Sequence, residues 1–193
     1  MRICTARIIG TTGYSQSKAV DDEEIPKLPK ESVGDYDKRN WRHKATVDAD
    51  GIVCIPAMAL KFAVDEAVKR LALQIPGRGK TTYSKFFVAG AICIDDPGPP
   101  LGIHIDAVAP IKIWANSDGV RGSGKRVRRI FPYIPAGWEA LATFAVLDDV
   151  IPTEVFEKGL IEAGRLIGIG RFRPQVGGLL GRFDVASCTW TRK

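Results

Sequence analysis

The sequence predicts an α+β fold with the element order β-α-β-β-α-β, and three observations predict it. Two amphipathic helical runs, 56–73 and 153–167, are separated by strand-like segments. β-branched, apolar segments open and close the chain, as strands do. Between the second helical run and the last strand lies GIGRFRPQVGGLLGRF (168–183), rich in glycine, with three arginines and no helical or strand periodicity. The 193 residues are read as one domain, long enough to bury a core without disulfides or metals.

The elements follow in order. Ile3 to Ile9 is a first strand, ended by Gly10 and Gly13. Residues 15–47 read as a long loop insertion, polar and poor in apolar periodicity. Its end, Tyr36 to Lys44, interleaves two aromatics with five basic residues counting His43. Trp41 there either stacks on a nucleic-acid base or pins the loop to the core. A turn at 48–51 leads to a short strand, Ile52 to Ile55. Pro56 then opens the first helix, with Leu60, Val64, Ala67 and Leu71 on one face and Lys61/Asp65, Asp65/Lys69 and Glu66/Arg70 as i,i+4 pairs on the other. Ile75 to Thr82 is a basic turn. It lacks the first glycine of a P-loop, since position 74 is Gln74, and follows a helix instead of a strand. Residues 119–126 have P-loop glycine and lysine spacing but end on Arg126 where a magnesium-binding hydroxyl belongs.

Tyr83 to Ile94 reads as a strand bulged at Gly90, and 95–102 as a rigid turn. Ala107 to Trp114 is a further strand, with Pro110 marking an edge or bulge. Residues 116–129 form a basic hairpin or loop, with five positive charges and no acid after Asp118. Strands at 130–135 and 141–147 flank Ala136-Gly137-Trp138. The second helix starts at Pro152 or Thr153, buries Phe156, Leu160, Ala163 and Ile167, and stops at Gly168. Phe183 to Trp190 is the last strand. The sum is a ferredoxin-like, RRM-like sheet with helices on one face, a long insertion between the first strand and first helix, and extra central strands. The aromatic signature of RNA-recognition domains is not evident.

Net charge +6 and a pI near 9.2 favour a polyanionic partner. Cys4, Cys54, Cys93 and Cys188 show no CxxC spacing and read as reduced thiols of a cytoplasmic protein. With His43 and His104 as the only histidines, a zinc site is not expected, nor any cofactor. The N-terminus shows no signal-peptide cleavage pattern, and no run has the length of a membrane span.

Two stretches carry a resemblance. Gly51, Ile55, Pro56, Leu60 and Lys61 match a "G-x-x-x-I-P-G-S-S-[LI]-K" motif leading into a first helix, with Ala57, Met58 and Ala59 in place of Gly-Ser-Ser. The stretch 168–183 occupies the place of a glycine-rich loop between second helix and last strand. In both, the chain resembles the RAMP superfamily of CRISPR-associated proteins, particularly their RNA-coating backbone subunits. The resemblance implies an RRM-like fold, single-stranded RNA as partner, and self-association or other ribonucleoprotein subunits.

Three basic clusters, 38–44, 121–129 and 171–182, agree with RNA binding. Lys61, Lys125, Arg128, Arg129, Arg171, Arg173 and Arg182 are the expected phosphate contacts. Gly170, Gly177 and Gly178 are the expected sites of close backbone approach, and Trp41, Phe172 and Phe183 the stacking groups. No nucleophile or acid/base set appears, so no enzyme is expected; Asp35, Asp37, Asp48 and Asp50 read as solvated loop acids. Two readings stay open: a non-enzymatic RNA-binding subunit, and a protein-interaction or assembly factor, such as a viral mimic that caps a CRISPR-type complex. For the loop itself the alternative is a flexible, solvated surface segment.

Overall fold

The computed structural model describes residues 1–20, 25–116 and 124–192. In chain order the elements are β1 (Arg2–Gly10), β2 (Tyr14–Ser15), α1 (Val33–Asn40), β3 (Ile52–Cys54), α2 (Ala57–Leu71), α3 (Ser84–Gly90), β4 (Ala91–Cys93), β5 (Pro100–His104), β6 (Ala109–Asn116), β7 (Arg126–Ile134), β8 (Glu139–Val146), α4 (Thr153–Glu162) and β9 (Phe183–Arg192).

Alternation along β1 buries Cys4, Ala6 and Ile8 and turns Thr5 and Arg7 outward. β1 pairs antiparallel with β8 on one side and β9 on the other, and β8 pairs with β4, giving the order β4-β8-β1-β9. α2 lies between β1 and β4 in sequence, and α4 between β8 and β9. The two helices pack on each other through the apolar stripes their 3.6-residue spacing creates. α2 buries Leu60, Val64, Ala67 and Val68; α4 and the π turn after it bury Phe156, Leu160, Ala163 and Ile167, the face the sequence predicts. Gly159 permits the crossing: a Cβ there would lie 2.6 Å from Cγ2 of Val68. Two smaller antiparallel sheets, β2-β7-β6 and β3-β5, complete a mixed α+β architecture. β6 is an edge strand and carries Pro110, as expected.

The structure corrects several expectations. Residues 83–94 are not one strand. Ser84–Gly90 is a helix, with Tyr83 and Phe87 buried four residues apart while Lys85 and Val88 face solvent. A short apolar run fits either period, and burial of every fourth residue decides it here. The 15–47 insertion is not simply a loop. α1 is capped by the Ser32 hydroxyl, which accepts from the Asp35 amide, and a 3-10 turn over Trp41–Lys44 follows. Of the basic hairpin or loop expected at 116–129, Asn116 ends β6 and pairs antiparallel with Arg126, which opens β7, while residues 117–123 lie outside the described residues, as do 21–24. β5 takes up the end of the expected turn at 95–102. The four cysteines are free, Cys4 and Cys54 buried and Cys93 and Cys188 partly so. No helix among the described residues is long and apolar enough to cross a membrane.

Candidate nucleic-acid interface

The glycine-rich segment is tied down along its length. It leaves the π turn at Gly168, whose amide donates to the Ala163 carbonyl at 2.8 Å. Ile169 is buried and donates to the Gly181 carbonyl; Gly181 donates to Gly13, and Arg171 to Ser15 at 2.7 Å. Within the loop, Leu180 donates to Phe172 and Gly178 to Arg173, both at 3.0 Å. Gly178 runs so close to the Phe172 backbone that a Cβ would collide with it. Phe172 itself holds φ 58°, a left-handed conformation that costs a bulky residue energy and persists only where the surroundings impose it. Its ring packs edge-on against Phe131 of β7, 5.8 Å between centroids. The reading of a free solvated loop is therefore corrected by these bonds.

The electrostatics centre on Asp37 of α1. Its side chain is fully buried. It accepts from Lys44 Nζ at 2.7 Å, from Arg129 Nε at 2.7 Å and Nη2 at 3.2 Å, and from the Ile130 amide at 3.1 Å. Burial pushes the Asp37 carboxyl up, but the bonds from Arg129, Lys44 and Ile130 outweigh it and hold the group below its ordinary value. Arg171 comes next to this cluster from the loop. Its guanidinium stands 4.8 Å from the centroid of the Phe131 ring and 5.1 Å from that of Phe172. Burial, and then the neighbouring Arg129, push its pKa down, so both make a cation less comfortable there. Among the described residues no carboxylate pairs with Arg171. An anion placed there would relieve both costs.

The other expected residues divide. Gly170, Phe172 and Arg173 share the loop with Arg171. Arg173 donates from Nε to the Gln175 side chain at 3.0 Å and from Nη1 to the Gly170 carbonyl at 3.3 Å. Arg182 donates to the Arg165 carbonyl at 3.2 Å. Gly177, in left-handed conformation, ends a 3-10 turn with its amide bonded to the Pro174 carbonyl. Lys125 and Arg128 are exposed, but strand alternation turns Arg128 away from Arg129, toward its cross-strand partner Trp114. Arg129 is spoken for by Asp37.

Three residues are displaced from their expected roles. Lys61 is buried, ion-paired to Asp65 and donating to the Phe87 carbonyl at 3.0 Å, because it lies beside Leu60 and Val64 on the buried side of α2, under α3. Trp41 is 7% exposed and pins α1 to the core, with Arg42 stacked 4.3 Å over its ring. Phe183 is 1% exposed, packed 6.4 Å from Trp138. Neither aromatic can receive a base. Asp37, read as a solvated acid, is the best buried carboxylate of the site. Phe131 escaped notice because its partners Arg171 and Phe172 lie forty residues further along the chain.

A groove of about 630 Å³ separates the loop from the start of α2. Met58 and Phe62 line one wall, Gly170, Arg173 and Gln175 the other. Among the described residues no group of three or more His, Cys, Asp or Glu side chains is placed to hold a metal ion.

No protein-family model and no curated protein matches the sequence. Among solved structures, the chain is similar to one in the cryo-EM structure of the Type III-B Cmr-beta bound to cognate target RNA. That likeness has a TM-score of 0.51 at 14% identity over 99% of this chain, which spans 61% of the other's length. It is also similar to Cmr6 from Pyrococcus furiosus, with a TM-score of 0.46 and 14% identity over 96% of this chain and 98% of that one. At such identity the first likeness shows the fold alone: a mixed α+β architecture consistent with an RRM-like domain.

Proposed function

We propose that this chain binds single-stranded RNA through its phosphate backbone, without cutting it, as a guide-coating subunit of a RAMP-type ribonucleoprotein in the cytoplasm. The observation that carries the reading is Arg171: a half-buried guanidinium with no carboxylate among the described residues, on two aromatic rings beside Arg129. A phosphate satisfies that arrangement in charge and in hydrogen-bond geometry. The amides of Gly170, Phe172 and Arg173 donate to nothing among the described residues and stand ready for phosphate oxygens.

Three further points support it. The sheet order β4-β8-β1-β9 with α2 and α4 as its two connections is what a ferredoxin-like β-α-β-β-α-β domain would have. The matching Gly51, Ile55, Pro56, Leu60 and Lys61 open α2 beside the loop. A neighbour in fold was solved bound to cognate target RNA. The test is a titration of fluorescent single-stranded RNA at several salt concentrations. Log affinity should fall linearly with log salt, and Arg171→Ala, Arg173→Ala and Arg182→Ala combined should weaken binding with the fold intact. Absence of binding at low salt would sink the reading.

A second reading, an assembly factor without RNA binding of its own, is favoured by β9. It is a ten-residue edge strand, and the sheet face it shares with Leu141 and Arg7 turns outward. Light scattering that shows self-association in a preparation that ignores RNA would favour it.

A further inference from the structure

The groove beside the loop has features a phosphate site does not need. Met58, Phe62 and Glu66 lie at i, i+4 and i+8 on one stripe of α2 facing the loop. Met58 is 55% and Phe62 60% exposed, which leaves two large apolar side chains bare along one wall. Opposite them a polar relay crosses the groove. Arg173 Nε donates to Gln175 Oε1 at 3.0 Å, and Gln175 Nε2 donates to Glu66 Oε2 at 3.2 Å. The relay fixes three side chains that would otherwise be free rotors. It leaves Glu66 Oε1 with only a loose contact to Lys69 at 3.9 Å, and leaves Arg173 Nη2 without an acceptor among the described residues.

We infer that this groove takes one unstacked nucleobase of the bound RNA, and that the base is guanine. The inference rests on the RNA-binding reading of the same loop. Phe62 and Met58 supply the flat apolar surface on which a base stacks. The polar edge carries a carboxylate acceptor at one end and a guanidinium donor at the other, with the Gln175 amide bridging them. Guanine presents the complement, N1–H and N2–H to the carboxylate and O6 to the guanidinium. Adenine puts an unprotonated N1 against the carboxylate, and uracil and cytosine each offer it at most one N–H donor. Gly170 belongs to both places, the phosphate side at Arg171 and the base side at Arg173. A single nucleotide can therefore straddle the loop, phosphate to one side and base to the other.

The test compares a short oligo-adenosine RNA with the same strand carrying one internal guanosine. The guanosine strand should bind about tenfold more tightly, in line with one carboxylate or guanidinium contact to a base edge plus stacking. Glu66→Gln, an isosteric change on an exposed side chain, should bring the ratio near one. Phe62→Ala should shrink it as well. In parallel, the Gln175 side-chain amide signal of a 15N-labelled sample is followed with guanosine monophosphate and with adenosine monophosphate. A shift with the first and not the second supports the pocket. Equal affinities for the two strands, with no shift of Gln175, overturn it while the backbone reading stands. Loss of all RNA binding with the Gln175 shift retained overturns the backbone reading and leaves the pocket in place.

Discussion

Lys61 and Arg171 are both basic residues at places where the sequence points to phosphate, and the structure treats them in opposite ways. Lys61 is folded under α3, paired with Asp65 and bonded to a backbone carbonyl. Arg171 lies over two rings with no acid of its own among the described residues. Arg129, a near neighbour of Arg171, belongs with Lys61, because Asp37 satisfies it. A positive charge in sequence is thus not a positive charge offered to a ligand. What separates the two kinds is whether a carboxylate has been buried beside them.

The comparison can be broken first at Asp37. Asp37→Asn removes one charge and strands Lys44 and Arg129, so stability should fall by about 3–5 kcal/mol, read from urea unfolding. Its pH dependence has a definite sign. Because the folded carboxyl titrates below its ordinary 3.8, its contribution is present above that value and is lost as pH falls further, through the folded pKa. Acid unfolding of the wild type should therefore begin below pH 4 or so, and the Asn variant should lack that component. A variant as stable as the wild type would show the cluster to be ornamental.

Next in size is Lys61→Met, which should cost roughly 1–3 kcal/mol by leaving the Phe87 carbonyl without its donor, and should leave RNA affinity as it was. A loss of affinity at unchanged stability would return Lys61 to the phosphate contacts. Arg171→Ala should do the reverse. Thermal stability should stay within about 0.5 kcal/mol, while RNA affinity falls about tenfold and the salt slope drops by about 0.7, the share of one phosphate on a single strand. Arg128→Ala, on the far face of the β6–β7 ribbon, should show the smallest change, under about threefold in affinity. An Arg128 effect as large as that of Arg171 would mean that the strand, not the loop, carries the contact.

The helices show what periodicity makes legible. Phe156, Leu160, Ala163 and Ile167 were readable because one face of α4 is apolar for its whole length and Gly168 stops it. α3 was not, because a seven-residue helix in an apolar run has too few turns to separate period 2 from period 3.6. α1 carried a Ser-x-x-Asp start, yet its apolar content is low and its packing depends on Asp37, whose partner Arg129 is 92 residues away. Nothing local distinguishes Asp37 from Asp35, Asp48 or Asp50. In the site, the loop's place between α4 and β9 was legible from order alone. Its architecture was not, since Phe131, the ring beside both Arg171 and Phe172, reads in sequence as one more strand residue.

The bonds that hold the glycine-rich segment have a consequence for how it meets a protease. A segment of this composition would ordinarily be the first place trypsin cuts, since glycine lets the backbone stretch into the cleft and arginine supplies the specificity. Here the Arg171 amide is committed to Ser15 across the chain, the Phe172 carbonyl accepts from Leu180, and proline follows Arg173. For the backbone to extend around Arg171, the joint between the first strand, the second sheet and the last strand would have to open with it. What has the composition of a linker is sewn in as a seam.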